Sequence, residues 1–140
     1  MNYSSRLFIA SGIFHPESGG PATYLYELLP DLQKRGWDIR ALTYGSGATD
    51  GYPYSLTRIP RRTLPMRVAQ YALAARPLMR WADLVYAHTL GLPLIGNKPR
   101  VLKIVGDQAW ERAVRRGWIP PTEDVDDFQR RRYSPLVTLQ

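Results

Sequence analysis

The chain has 140 residues with 44% hydrophobic and 11% aromatic content, enough apolar material for one real core and ordinary for a globular protein. It has no cysteine, which excludes disulfides and thiolate metal sites. The net charge of +7 is uneven: residues 1–50 carry four Lys/Arg against five Asp/Glu, and residues 51–140 carry fifteen against seven, with Arg supplying sixteen of the nineteen basic groups. A surface of that kind favours phosphates, anionic lipid or nucleic acid.

In chain order, Arg6-Leu-Phe-Ile-Ala-Ser11 reads as a first buried strand ended by Gly12, and not as a secretory signal. A loop, Phe14-His-Pro-Glu-Ser-Gly-Gly20, leads to Pro21, which suits a first helical turn. Ala22, Leu25, Leu28, Leu29 and Leu32 then share one helical face, Pro30 is expected to kink or shorten the helix, and Arg35-Gly36 stops it. Asp38 to Tyr44 alternates as a second strand. Gly45 to Pro53 is a loop, Tyr54 to Ile59 a short strand, and Pro65 to Trp81 a helical stretch. Asp83 to Ala87 predicts a strand, followed by His88 and a segment through Lys98 broken by Gly and Pro; Leu84 to Asn97, though uncharged, is too short and too broken to span a bilayer. Arg100 to Val105 predicts another strand, closed by Gly106-Asp107, then helices over Ala109–Arg116 and from Glu123 to Tyr133. Strands alternating with helices imply an α/β fold: a Rossmann-like parallel sheet with helices on both faces.

The strand-to-helix loop with Gly19-Gly20 is the sharpest chemical feature. The first N–H groups of a helix lack intrahelical partners and carry positive partial charge, so an anion such as a diphosphate is stabilised there, and glycine lets the backbone approach it. A plain turn is the competing reading. A nicotinamide or flavin site needs Gly-x-Gly-x-x-Gly directly after the strand and an acid at the end of the second; here Gly12 stands alone and the second strand ends Thr43-Tyr44. No Gly-Lys-Ser/Thr is present for a P-loop. His15 reads as structural beside Pro16, and two histidines this far apart do not make a metal site. Asp124-Val-Asp126 reads as acidic helix-start design completed by Arg130-Arg-Arg132, and Trp81, Trp110 and Trp118 as core.

Phe14-His-Pro-Glu-Ser-Gly-Gly20, the amphipathic helix, and Gln33-Lys-Arg-Gly-Trp-Asp-Ile-Arg-Ala-Leu-Thr43 together resemble the N-terminal domain of glycosyltransferase family four. Asp83-Leu-Val-Tyr-Ala-His88 and Val101-Leu-Lys-Ile-Val-Gly-Asp107 are similar to its second and third landmarks, so the resemblance runs over most of residues 6–117. It implies the acceptor-side half of a GT-B fold: residues 1–140 as a single, truncated Rossmann-like domain with 119–140 peripheral, and a second domain that holds the nucleotide-sugar. It implies transfer with retention of configuration from a nucleotide-sugar to a glycan or lipid-linked acceptor, with no metal and no cofactor, as in the making of cell-envelope polysaccharide. It also implies a cytoplasmic protein, peripheral on the inner face of the membrane. By position, Gly19 and Gly20 would meet the donor diphosphate, and His88 and Asp107 would enter the cleft as catalytic groups. Many members have His-Gly where this chain has Val105-Gly106, so Asp107 is expected to supply the missing polar group; the segment from His88 to Lys98 is shorter than usual. The alternatives are another Rossmann-like enzyme, such as an epimerase, and a non-catalytic binder of nucleic acid or an anionic surface using Arg58, Arg61, Arg62, Arg67, Arg76 and Arg80.

Overall fold

A computed structural model describes residues 4–104, 108–122 and 124–130. The strands are β1 (Arg6–Ala10), β2 (Asp38–Tyr44), β3 (Ser55–Ile59), β4 (Leu84–Ala87) and β5 (Arg100–Leu102). The helices are α1 (Gly20–Lys34), α2 (Leu64–Trp81), α3 (Gln108–Arg115) and α4 (Val125–Arg130). The strands form one all-parallel sheet in the order β3-β2-β1-β4-β5. This is the expected Rossmann-like α/β architecture.

The period of two in the strands sorts the core into two layers. Leu7 and Ile9 of β1, Ile39 and Ala41 of β2 and Leu56 of β3 pack with Leu25 and Leu29 of α1. Phe8 and Ala10 of β1, Leu42 of β2 and Val85 of β4 pack with Tyr71, Ala75 and Met79 of α2 on the other face. Because both faces are covered, β1 reads as a continuous apolar run and not as an alternation. Burying Leu25 and Leu29 fully contributes about 1.5–3 kcal/mol each relative to exposure.

Two parallel connections lack a helix, and side chains fill the space instead. The β2–β3 connection lays Tyr52 and Tyr54 on the α1 layer, and the Gln33 amide donates to the Pro53 carbonyl. The β4–β5 connection sends Leu92 and Leu94 into the α2 layer. Tyr71 is buried with its hydroxyl 3.2 Å from the Ser11 carbonyl and 3.0 Å from that of Leu42, so it ties together the ends of β1 and β2. Burial pushes its phenol far above the ordinary range.

Several boundaries differ from the sequence expectation. Pro30 does not end α1: the helix runs through it to Lys34, and Tyr26, whose carbonyl loses its helical donor, is an exposed residue. β5 stops at Leu102, three residues early, because its partner β4 ends at Ala87, the register mate of Leu102. Asp83 precedes β4 and accepts from the Arg6 backbone N–H at 3.0 Å and from its guanidinium at 2.9 Å.

Residue contacts divide the chain into two compact units, 1–103 and 104–140. In the second, α3 ends at Gly117, which has φ 70° and donates its N–H to the Val114 carbonyl, as the expected glycine stop. Asp124 Oδ1 accepts from the Asp126 N–H at 2.6 Å at the start of α4, so Asp124-Val-Asp126 acts as a helix cap. Trp81 packs against the α2-side core as expected, but Trp118 is 38% exposed, with the Arg116 guanidinium 5.0 Å from its ring centre, and is not a core residue. The Trp110 side chain lies outside what is described.

Candidate functional site

Strand order reverses between β1 and β4, so the chain leaving β1 and the chain leaving β4 turn in opposite directions. At such a switch point an open parallel sheet leaves a crevice beyond the carboxyl ends of its strands. The two segments touch there: a Cβ added to Gly12 would stand 3.5 Å from Thr89 Oγ1.

The β1–α1 loop is built from its first residue onward. The Ser11 N–H donates to the Leu42 carbonyl at 3.0 Å, and the Ser11 hydroxyl donates to the Ile13 carbonyl at 2.5 Å. Phe14 is fully buried, edge-on to Tyr52 and Tyr54, and pins the middle of the loop to the α1 layer. His15 is structural, as expected: its ring stacks on Tyr26 at 3.9 Å and its carbonyl accepts from Tyr52 Oη at 3.0 Å. The loop ends at Gly19, where φ is 148° and a Cβ would lie 2.9 Å from Ile13 Cδ1, so the position requires glycine. Gly20 opens α1 and differs: nothing stands within 4 Å of where its Cβ would be. No side chain caps this helix and Pro21 contributes no donor; Ala22 is fully buried, so the exposed backbone N–H groups that remain for an approaching anion are those of Gly19 and Gly20.

His88 leaves β4 on the other side of the switch point, its N–H donating to the Ala10 carbonyl at 2.9 Å. The side chain is 3% exposed, and neither ring nitrogen has a hydrogen-bond partner among the described residues. Its ring lies 5.4 Å from that of Tyr24 on α1 and 5.9 Å from that of Tyr86. Lys103 places its Nζ 3.1 Å from the centre of the Tyr24 ring. Burial, and then the charge of Lys103, holds the His88 pKa below the ordinary histidine value, so the ring is neutral near pH 7. Burial and the adjacent Tyr24 push the Tyr86 phenol up to about 12.

The fold therefore brings Gly19, Gly20 and His88 to one end of the sheet, with Tyr24 linking α1 to His88. Asp107, the fourth expected site residue, lies outside the described residues. Tyr24 and Lys103 were not legible as site residues: Tyr24 carries only the signal of lying one helical turn beyond Gly20, and Lys103 none until β5 is paired with β4. Arg58 and Arg61, counted among phosphate ligands in the alternative reading, are engaged by the β1–α1 loop. Arg58 donates to the carbonyls of His15 and Ala48, and Arg61 pairs with Glu17 at 2.6 Å.

No protein-family model matches the chain, and no curated protein or solved structure matches it at a significant level. The geometry and the sequence motifs carry the functional reading by themselves.

Proposed function

We propose that this chain forms the acceptor-side half of a retaining, metal-independent GT-B glycosyltransferase that moves a sugar from a nucleotide-sugar to a glycan or lipid-linked acceptor. The observation that carries the reading is the uncapped start of α1 at Gly20, set at the switch point of a parallel sheet, with Tyr24 one helical turn on lying 5.4 Å from the buried His88 ring. In this reading the α1 N-terminus receives the donor diphosphate through backbone N–H groups, which replaces a metal ion as the source of positive potential. Neutral His88 would accept a proton or a hydrogen bond from a sugar hydroxyl, and the family resemblance assigns Asp107 a catalytic role as well. The nucleoside and the rest of the donor would be held by a second α/β half across the cleft, because transfer needs donor and acceptor positioned together away from water.

The nucleic-acid alternative loses two of its six arginines to internal contacts. The anionic-surface part fits better as a property of the transferase: Leu64, Met66, Val68 and Leu73 of α2 are exposed beside a basic sequence. The proposed attachment is peripheral, through these exposed apolar side chains and the basic sequence; among the described residues no helix is long and apolar enough to cross a membrane. Among the described residues the donor-binding test is direct. Titration with uridine and guanosine diphosphates, followed by amide NMR, is expected to move Gly19 and Gly20 first. Titration that leaves these amides unmoved while shifting others would take the loop out of the reading. The 140 residues alone are expected to transfer no sugar, and measurable transfer by them would overturn the two-domain mechanism.

A further inference from the structure

The β1–α1 loop is held from the outside by two arginines of the next layer of sequence, and their arrangement goes beyond packing. Arg58 leaves β3 and reaches under the loop. Its guanidinium donates to the His15 carbonyl at 2.5 Å, to the Ala48 carbonyl at 3.0 Å and to the Tyr52 hydroxyl at 3.2 Å. Arg61, just after β3, forms the 2.6 Å ion pair with Glu17 and also donates to the Gly12 carbonyl at 3.3 Å. The contacts thus fall at the beginning, middle and later part of the loop, the last only two residues before Gly19. Glu17 additionally donates its backbone N–H to the Phe14 carbonyl at 3.1 Å, which closes a turn on the buried Phe14 ring.

Gly45 completes the arrangement. A Cβ there would stand 2.8 Å from Glu17 Oε1 and 3.8 Å from Arg58 Nη1, and φ is 137°. Both of those atoms are buried without a hydrogen-bond partner among the described residues. Any side chain at position 45 would therefore drive the Glu17 carboxylate away from its place between the two arginines. Glu17 is the member that a pure electrostatic account cannot explain. A carboxylate three residues before an anion-receiving helix start repels the anion, so it belongs there only if its positional work outweighs that repulsion.

We propose that Glu17, Arg58 and Arg61 are positioning residues that hold the β1–α1 loop so that the exposed N–H groups of Gly19 and Gly20 face a diphosphate. This rests on the reading of that loop as the donor-diphosphate site, and it assigns the arginines to the loop backbone and not to the ligand.

Glu17→Gln separates the two accounts by sign. Removing a negative charge strengthens pyrophosphate binding if the charge acts only through space. Loosening the clamp weakens it, by about two- to five-fold if the pair is worth what a half-exposed ion pair usually is. The measurement is inorganic pyrophosphate titrated into the 140-residue chain and followed by amide NMR, with the melting temperature of each variant alongside. The expected result is weaker binding in Glu17→Gln and in Arg61→Gln, no further loss in the double variant, and an unchanged melting temperature. Tighter or unchanged binding in Glu17→Gln overturns the proposal. Hydrogen exchange at the Gly19 and Gly20 amides without ligand is the second readout: faster exchange in Glu17→Gln supports the clamp, and unchanged exchange overturns it. If wild-type chain binds no pyrophosphate, the diphosphate reading falls and the exchange rates alone decide the clamp. If Glu17→Gln fails to fold, Arg58→Lys, which keeps the charge and loses the fork of donors, takes the same tests.

Discussion

Two segments leave the adjacent strands β1 and β4 at the same end of the sheet, and they are held in opposite ways. The segment after β1 has several of its backbone carbonyls tied by side-chain donors. Its carbonyls accept from Arg58, Arg61 and Tyr52, and its Phe14 is locked in the core. The segment after β4 begins with a buried histidine whose ring nitrogens have no hydrogen-bond partner among the described residues, covered by Tyr24 and Lys103. A satisfied loop fixes backbone donors in space, whereas an unsatisfied buried imidazole costs folding free energy and keeps hydrogen-bonding capacity in reserve. Backbone geometry is thus the asset of one wall of the crevice and side-chain chemistry that of the other.

The largest effect that would test this contrast belongs to Gly20. In a polypeptide that also carries the donor-binding half, Gly20→Val is expected to lower donor turnover about 10²-fold, the scale of losing an aligned backbone donor set. Its melting temperature should hardly change, because the added side chain enters open space. Nucleotide-sugar kinetics that match wild type would remove the first wall from the mechanism. One residue earlier the prediction inverts. Gly19→Ala should destabilise the chain by about 1–3 kcal/mol in urea unfolding, since both its φ and Ile13 oppose a side chain.

On the second wall, His88→Leu should leave stability unchanged or raise it by about 1 kcal/mol, since it removes two buried polar atoms without partners. It should nonetheless lower turnover. A loss of both would make His88 structural. The sign of its pH dependence follows from the lowered pKa. The unfolded chain, with a histidine near 6.5, binds the proton more readily than the folded one. Stability attributable to His88 is therefore present above pH 6.5 and falls as the pH drops from there toward the folded value. Melting temperatures of wild type and His88→Leu should diverge in that window.

The smallest effect serves as a control from the far end of the same two strands. Hydrogen bonds from the Arg6 side chain and backbone lower the Asp83 pKa to about 2, against 3.8 unperturbed. Its contribution is present above pH 3.8 and is lost as the pH falls toward 2, and the pair is exposed enough to be worth little. Asp83→Asn should alter acid unfolding slightly and leave pyrophosphate binding untouched; a change in binding would show that the loop is coupled to the opposite end of the strands.

Much of the architecture was legible because it depends on local rules. Apolar strand runs alternating with helical stretches, Gly36 and Gly117 as stops, and the helical spacing of Ala22, Leu25 and Leu29 specify parallel strands with covering helices without reference to anything distant. Gly19 and Gly20 stood out for the same reason, although the sequence could not say that the first is required by its φ while the second borders open space. The end of β5 was misplaced because strand length is set by the partner: Leu102 is the last residue with an Ala87 to face. Trp118 was misplaced because a tryptophan next to a helix stop looks apolar whether or not anything covers it.

What the sequence determined by itself, then, is the order and kind of the elements and the place of the glycine loop, since these follow from periodicity and backbone preference. Only the tertiary structure decided which charged and aromatic residues serve that loop. Arg58 and Arg61 are separated from Gly12 and His15 by more than forty positions, and Lys103 from Tyr24 by far more. Their positions arise from the parallel pairing of β1 with β2 and β4, of β2 with β3 and of β4 with β5, which sets distant carboxyl ends side by side, and no local pattern encodes that neighbourhood.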